Sequence, residues 1–182
     1  MTKLVAGLPE DFLTNGRHFF NSLKMRGLAT FISDIRNCRL KELEEKRINK
    51  ELSNIRIKFS SSLSGYHRMK YTAKLLYMHI TGWPSELGYD QAIILIKSMK
   101  YSEKRMGYLA ITIRVTENKE LIKLIQNALA ADLNSGNESY ICLALCAIAN
   151  VASKDFADSC VSDILNLLVK RYLFLTQLSS HC

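Results

Sequence analysis

Amphipathic and nearly apolar helical segments alternate along this chain, in pairs that recur about every 35–40 residues. GLATFISDIRNC places Leu28, Phe31, Ile32 and Ile35 on one face, at i, i+3, i+4 and i+7. LKELEEKRINKELSNIRIKF interleaves Leu40, Leu43, Ile48, Leu52, Ile55 and Phe59 with dense charge, which predicts a longer helix with a strongly solvated face. Its i, i+4 pairs are mixed, since Glu42 with Lys46 helps and Lys46 with Lys50 does not. SSSLSG is a serine-rich loop that ends at Gly65. YHRMKYTAKLLYMHITG then reads as a third helix, closed by Gly82 and the Trp83-Pro84 break. Five more helical segments follow: ELGYDQAIILIKSM, SEKRMGYLAITIRVTE opened by Ser102 and Glu103, NKELIKLIQNALAADLN, ESYICLALCAIANVA and SKDFADSCVSDILNLLV. The result is about eight helices of roughly 10–20 residues on short links. The fifth and seventh, around GYLAITI and CLALCAIANVA, are apolar on most faces and should be covered on both sides.

A helix pair that cannot bury its apolar face alone must stack on the next pair. The expected class is therefore all-α, a right-handed alpha-alpha superhelix of HEAT or armadillo type. A compact helical bundle is the competing arrangement, and the lack of a long crossover favours the solenoid. Only 8 Gly and 2 Pro punctuate the chain, which argues against many short strands. No apolar run reaches the roughly 18–20 residues of a membrane span. Pro9, Glu10 and Asp11 interrupt the start where a signal peptide would need an apolar core, so a cytosolic location is expected.

Five cysteines, an odd number without a secretory signal, do not suggest a disulfide framework. Cys142 and Cys146 are i, i+4 on a helix, yet with no nearby His or second Cys pair they read as buried free thiols. His18, His67, His79 and His181 form no metal or catalytic spacing. Asn137-Glu138-Ser139 matches a glycosylation sequon, which means nothing in a cytosolic chain. There is no Gly-rich phosphate loop, no Ser-His-Asp set and no paired-carboxylate motif. The expectation is a protein that is not an enzyme and uses no cofactor or metal.

The net charge of +8 is unevenly placed. From Lys24 to Lys74 thirteen Lys and Arg face five acids, and the rest of the chain is balanced. A basic half beside a neutral half suggests an anionic partner. On the third helix Tyr66, Lys70, Lys74 and Tyr77 fall in one stripe with His67 at its edge. Met69, Ala73, Leu76 and Ile80 form an apolar stripe, and Tyr71, Leu75 and Met78 form another side. Taken alone, these residues favour a solvated lysine face. The tyrosine hydroxyls and free N–H groups at the helix start would also suit a phosphate.

MRGLATFISDIRNC followed by KRINKELSNIRIKF resembles the N-terminus of the alpha subunit of the plasma-membrane clathrin adaptor complex, in the adaptin large-subunit family. The likeness continues through LSGYHRMKYTAKLLYMHITG, KYSEKRMGYLAITI, ELIKLIQNALAADLNS and LALCAIANVASKDFA, from Met25 to Val169. It implies a curved helical trunk that cradles a sigma subunit and assembles with beta and mu subunits. It also implies a cytoplasmic complex held peripherally at coated pits on the inner face of the plasma membrane, which binds phosphatidylinositol 4,5-bisphosphate, takes cargo with acidic dileucine signals and reaches clathrin indirectly. Carried over motif by motif, the lipid headgroup site falls on Arg26, Gly27, Lys58, Tyr66, Lys70, Tyr71, Thr72, Ala73 and Lys74. Arg36 of SDIRNC is implied beside the sigma subunit as a cargo-signal contact. From the residues alone, a surface ion pair with Asp34 or Glu42 is the simpler reading of Arg36.

The chain departs from the family pattern in places. Arg68, Met69 and Lys70 stand where the family has three lysines, so Met69 removes a charge and lipid affinity should fall. AKLLYMHITGWP is also similar to the gamma subunit of the Golgi and endosome adaptor, the alternative identity. A helical-repeat nucleic-acid binder is a further alternative suggested only by charge; stacking platforms for RNA bases are missing, so no nucleic acid is expected. Residues 1–24 read as a poorly ordered extension, 25–169 as the trunk and 170–182 as a divergent tail. A solenoid cut mid-array exposes an apolar face, so poor solubility or dependence on the sigma subunit is expected. Each Lys or Arg near an anionic leaflet gives about 1 kcal/mol, so four or five give roughly 4–5 kcal/mol and a dissociation constant near a millimolar. Such a site suits one contact among several.

Overall fold

The computed structural model describes residues 25–83, 85, 88–114, 119–150, 158 and 160–169. Every regular element among them is a helix: α1 (Arg26–Arg36), α2 (Lys41–Phe59), α3 (Gly65–Ile80), α4 (Tyr89–Ile96), α5 (Tyr101–Arg114), α6 (Lys119–Leu133) and α7 (Glu138–Asn150). Residues 160–169 are helical as well. The chain divides into two compact units, one up to Ile113 and one from Arg114. The proposed extension 1–24 and tail 170–182 lie outside the described residues. Among the described residues, no helix is long and apolar enough to cross a membrane.

In the first unit the 3.6-residue period of α1 does what it predicts. Leu28 and Phe31 are fully buried, and Ile32 and Ile35 are buried beside them. Each such side chain contributes roughly 1.5–3 kcal/mol of apolar burial. The buried face of α2 begins at Ile48 and continues through Glu51 and Ile55, with Leu52 and Phe59 packed at its edge. Leu40 and Leu43, expected on that face, are 60% and 51% exposed. Leu40 precedes the helix and Leu43 lies in its first turn, before the covered face starts.

α3 is the centre of this unit. It packs against α1, α2 and α4, and every residue from Tyr71 to Met78 is buried. The expected separation of a wet basic stripe from two packing faces therefore fails over the second half of the helix. Three neighbours cover a helix on all sides, and periodicity in a single segment does not count neighbours.

α5 is enclosed too, with Met106, Tyr108, Ala110 and Ile111 buried, as its composition suggested. Its buried Lys104 donates to the Ile96 carbonyl at 2.6 Å, so a cation closes the C-terminal end of α4 where the helix dipole favours one. In the second unit α6 packs on α7, which buries Ala144 and Ala147. Cys142 and Cys146 lie on the other side of α7 and are exposed, which corrects the reading of both as buried thiols and of α7 as covered on both sides. Cys160 is buried. Among the described residues no group of three or more His, Cys, Asp or Glu is placed to hold a metal.

Candidate functional site

The start of α1, the end of α2 and the first half of α3 meet around Lys70. Gly27, in the first turn of α1, makes room for the lysine stem: a Cβ there would lie 3.4 Å from Lys70 Cδ and 3.8 Å from its Nζ. The Lys70 ammonium sits 4.7 Å from the centroid of the Tyr71 ring, a cation–π distance. Partial burial lowers the Lys70 pKa, the positive charge of Lys74 lowers it further, Glu51 opposes this, and Lys58 adds to the lowering. Lys58 therefore shares the electrostatic neighbourhood of Lys70 although it belongs to α2. Lys58 and Arg26 are exposed. Tyr66 is 46% exposed, its ring edge-on to His67 at 5.5 Å, and His67 stacks on Tyr71 at 6.5 Å. These residues form a basic rim backed by aromatic rings.

Below the rim the environment changes. Tyr71 is buried, and burial together with the Glu51 charge raises its phenol above the ordinary value. Ala73 is fully buried, and Thr72 is buried with no hydrogen-bond partner for its hydroxyl. Lys74 is only 7% exposed, and its ammonium donates to Glu51 Oε1 at 2.6 Å. It lies in the core, not on a solvated stripe. Of the nine residues expected at a headgroup site, Arg26, Gly27, Lys58, Tyr66 and Lys70 reach the surface, and Tyr71, Thr72, Ala73 and Lys74 form the floor.

Glu51 is the residue the sequence reading missed. Burial would raise its carboxyl, yet hydrogen bonds from Lys74 and Arg47 and the charges of both bring it below the ordinary value. Arg47 donates to Glu51 at 2.8 Å and to Asp34 at 3.1 Å. Its guanidinium loses some basicity to burial and gains more from these two acids, so its pKa rises. The signal was available in the spacing. Ile48, Glu51 and Ile55 stand at i, i+3 and i+7, which places a lone acid on an apolar face inside a basic region.

The start of α3 is not open to an external anion as expected. The Ser64 hydroxyl accepts the His67 N–H at 3.4 Å, and the buried Glu103 carboxylate lies against Gly65. A carboxylate of the chain itself already complements that end of the helix dipole. Arg68 donates to Gln91 at 2.7 Å and so turns toward α4, and Met69 is a core residue. Arg36 is exposed in the last turn of α1 and has no ion pair among the described residues. The surface ion pair expected for it with Asp34 or Glu42 is not made among the described residues; Asp34 pairs with Arg47 instead. Ten residues at 1.5 Å each put Arg36 about 15 Å along α1 from Arg26, at the opposite end of the helix.

Residues 44–180 match the family model described as the adaptin N terminal region, and the chain belongs to that family. It is 42% identical over 147 residues to the AP-2 complex subunit alpha-1 of Arabidopsis thaliana, covering 80% of this chain and 14% of that protein. It is 44% identical over 149 residues to the AP-2 complex subunit alpha of Schizosaccharomyces pombe, covering 81% of this chain and 17% of that protein. Similarity to the AP-1 complex subunit gamma-1 of Mycosarcoma maydis is lower, 32% over 162 residues, covering 88% of this chain and 18% of that protein. The chain thus spans less than a fifth of the length of these relatives.

Proposed function

We propose that this adaptin-family chain acts as the large-subunit trunk of a clathrin adaptor used in endocytosis, and that its basic rim binds the headgroup of phosphatidylinositol 4,5-bisphosphate at the inner face of the plasma membrane. The observation that carries the lipid reading is the placement of Lys70 over Gly27 and near Lys58, with a half-exposed Tyr66 beside it. Neither lysine has an acidic partner among the described residues. Three exposed or partly exposed cations, Arg26, Lys58 and Lys70, supply about 3 kcal/mol, a dissociation constant on the order of 5–10 mM. That is weaker than the sequence alone suggested, because Lys74 is buried and paired with Glu51 in the ligand-free chain. Such a rim works as one contact in an assembly, with sigma, beta and mu subunits and cargo supplying the others. In this reading Arg36, at the other end of α1, serves the sigma subunit and acidic dileucine signals, and clathrin is reached through the other subunits.

Sedimentation with three kinds of vesicle tests this. The membranes carry phosphatidylinositol 4,5-bisphosphate, the 4-phosphate, or neither. The wild-type chain should prefer the bisphosphate, and Lys58→Glu with Lys70→Glu should remove the preference while leaving the helical circular dichroism intact. Unchanged binding by that double variant refutes the site. Equal preference for the 4-phosphate favours a gamma-type adaptor, which the lower identity to the gamma subunit makes the second choice. Tighter binding to single-stranded RNA than to either vesicle would reverse the choice of partner.

A further inference from the structure

α7 turns two thiols outward on one stripe. Ser139, Cys142, Cys146 and Ala149 recur at i, i+3, i+7 and i+10 and are all exposed, while Ala144 and Ala147 are buried on the other side of the helix. Cys142 and Cys146 are both free. Their neighbours along the stripe are a serine and an alanine, too short to overhang the sulfurs. The other described cysteines stand alone. Cys38 donates its S–H to the Asp34 carbonyl at 3.3 Å, and Cys160 is buried.

Residues four apart on a helix carry Cβ atoms about 5–6 Å apart. A disulfide needs about 3.5–4.5 Å, so this pair cannot close one without unwinding a turn of α7. Two sulfurs on opposite sides of one thiophilic ion, at about 2.3 Å each, stand roughly 4.6 Å apart. Rotation of the two side chains reaches that span while the helix stays intact. We propose that Cys142 and Cys146 form a two-thiolate site for a soft, two-coordinate metal ion, copper(I) being the cation of that class that thiolates select. Two thiolates complete the shell of such an ion. A structural zinc would need four ligands, and among the described residues no group of three or more His, Cys, Asp or Glu is placed to supply them. The ion bridges one turn of α7 away from Ala144 and Ala147, so binding leaves their packing undisturbed. The two thiol protons pass to solvent as the two sulfur–metal bonds form, and no electron is transferred, because the ion enters and stays as copper(I).

The experiment titrates the full chain, reduced and free of oxygen, with copper(I) held by the coloured chelator bicinchoninate. Wild type should withdraw one tightly held ion from the chelator. The double variant Cys38→Ser, Cys182→Ser should withdraw the same ion with the same affinity. Cys142→Ser and Cys146→Ser should each weaken that uptake about 100-fold or more, because the second thiolate acts as a tethered ligand at high effective concentration. Two independent thiols would instead lose half the capacity and keep the affinity. No uptake by wild type overturns the proposal. So does equal affinity in wild type and either single variant, and so does uptake that survives loss of both thiols.

A measurement on the wild-type chain does not depend on any variant folding. In alkylation with iodoacetamide, read by mass spectrometry, Cys142 and Cys146 should react quickly without metal and Cys160 slowly, as their exposure requires. One equivalent of copper(I) should then protect Cys142 and Cys146 together. Protection of one without the other, or of neither, refutes a shared ion. The lipid reading of the basic rim does not enter, so the outcome holds whether or not the chain prefers bisphosphate vesicles.

Discussion

Replacing Lys74 by Met isolates the energetic role of the buried pair, because Met keeps most of the apolar stem and removes the ammonium. Glu51 is then left 6% exposed with Arg47 at 2.8 Å and a weaker bond from Asn54 at 3.3 Å. Breaking a buried pair from one side costs about 3–5 kcal/mol, and the surviving Arg47 bond places this case at the low end, near 3 kcal/mol. That is a large share of the roughly 5–15 kcal/mol that holds a domain together. At a urea slope of about 1.5 kcal/mol per molar, the midpoint should fall by roughly 2 M. The probe is built in. Trp83 is the one tryptophan of the chain, it donates to Glu44 at 2.8 Å, and it packs on the core of the first unit. Its fluorescence therefore follows the unit that holds the pair and not the second unit. The companion variant Glu51→Leu, Lys74→Met replaces both charges by apolar groups and should return to within about 1 kcal/mol of wild type, because no buried charge is left without a partner. A loss below about 1 kcal/mol for Lys74→Met alone would mean that the pair behaves like a surface bridge. The burial argument would then be wrong.

Other outcomes follow from the same geometry. Gly27→Leu should displace the Lys70 stem that lies 3.4 Å from the Gly27 Cβ position and weaken bisphosphate-vesicle binding several-fold, with thermal stability unchanged or slightly higher because a helix glycine is lost; strong destabilisation would show that the contact is core packing. Lys70→Met should weaken the same binding about fivefold without loss of stability at neutral pH. The Lys70 pKa is lowered by folding, so its charged form is disfavoured in the folded chain up to its ordinary pKa, and the substitution relieves that cost. The Glu51 pKa is also lowered by folding, so for this acid the charged form gains. Its contribution is fully present above the ordinary carboxylate value near 4.5 and is lost as pH falls through the lower folded value. Trp83-monitored stability should therefore drop in that acid range, and Glu51→Gln should flatten the drop. Phe31→Ala, which empties a fully buried ring site against Tyr77, Arg47 and Lys74, should cost about 3–5 kcal/mol in urea titration.

The difference between Lys70 and Lys74 shows where reading a sequence stops. The burial of Leu28, Phe31, Ile32 and Ile35 was visible from spacing, because α1 has one covered face and periodicity measures one face at a time. The same method placed Lys74 on a wet stripe with Lys70, because both stand on one side of α3 at i and i+4. What separates them is not on α3. It is a carboxylate 23 residues earlier in the chain, brought up by the packing of α2. The lone acid among Ile48 and Ile55 hinted at a buried charge, but only the fold shows which cation meets it. The nine expected headgroup residues came from likeness to a family, not from spacing, and the likeness could not sort rim from floor. Sorting them separates two environments: Arg26, Lys58 and Lys70 are exposed or partly exposed, whereas Lys74 is buried against Glu51 and joins α3 to α2.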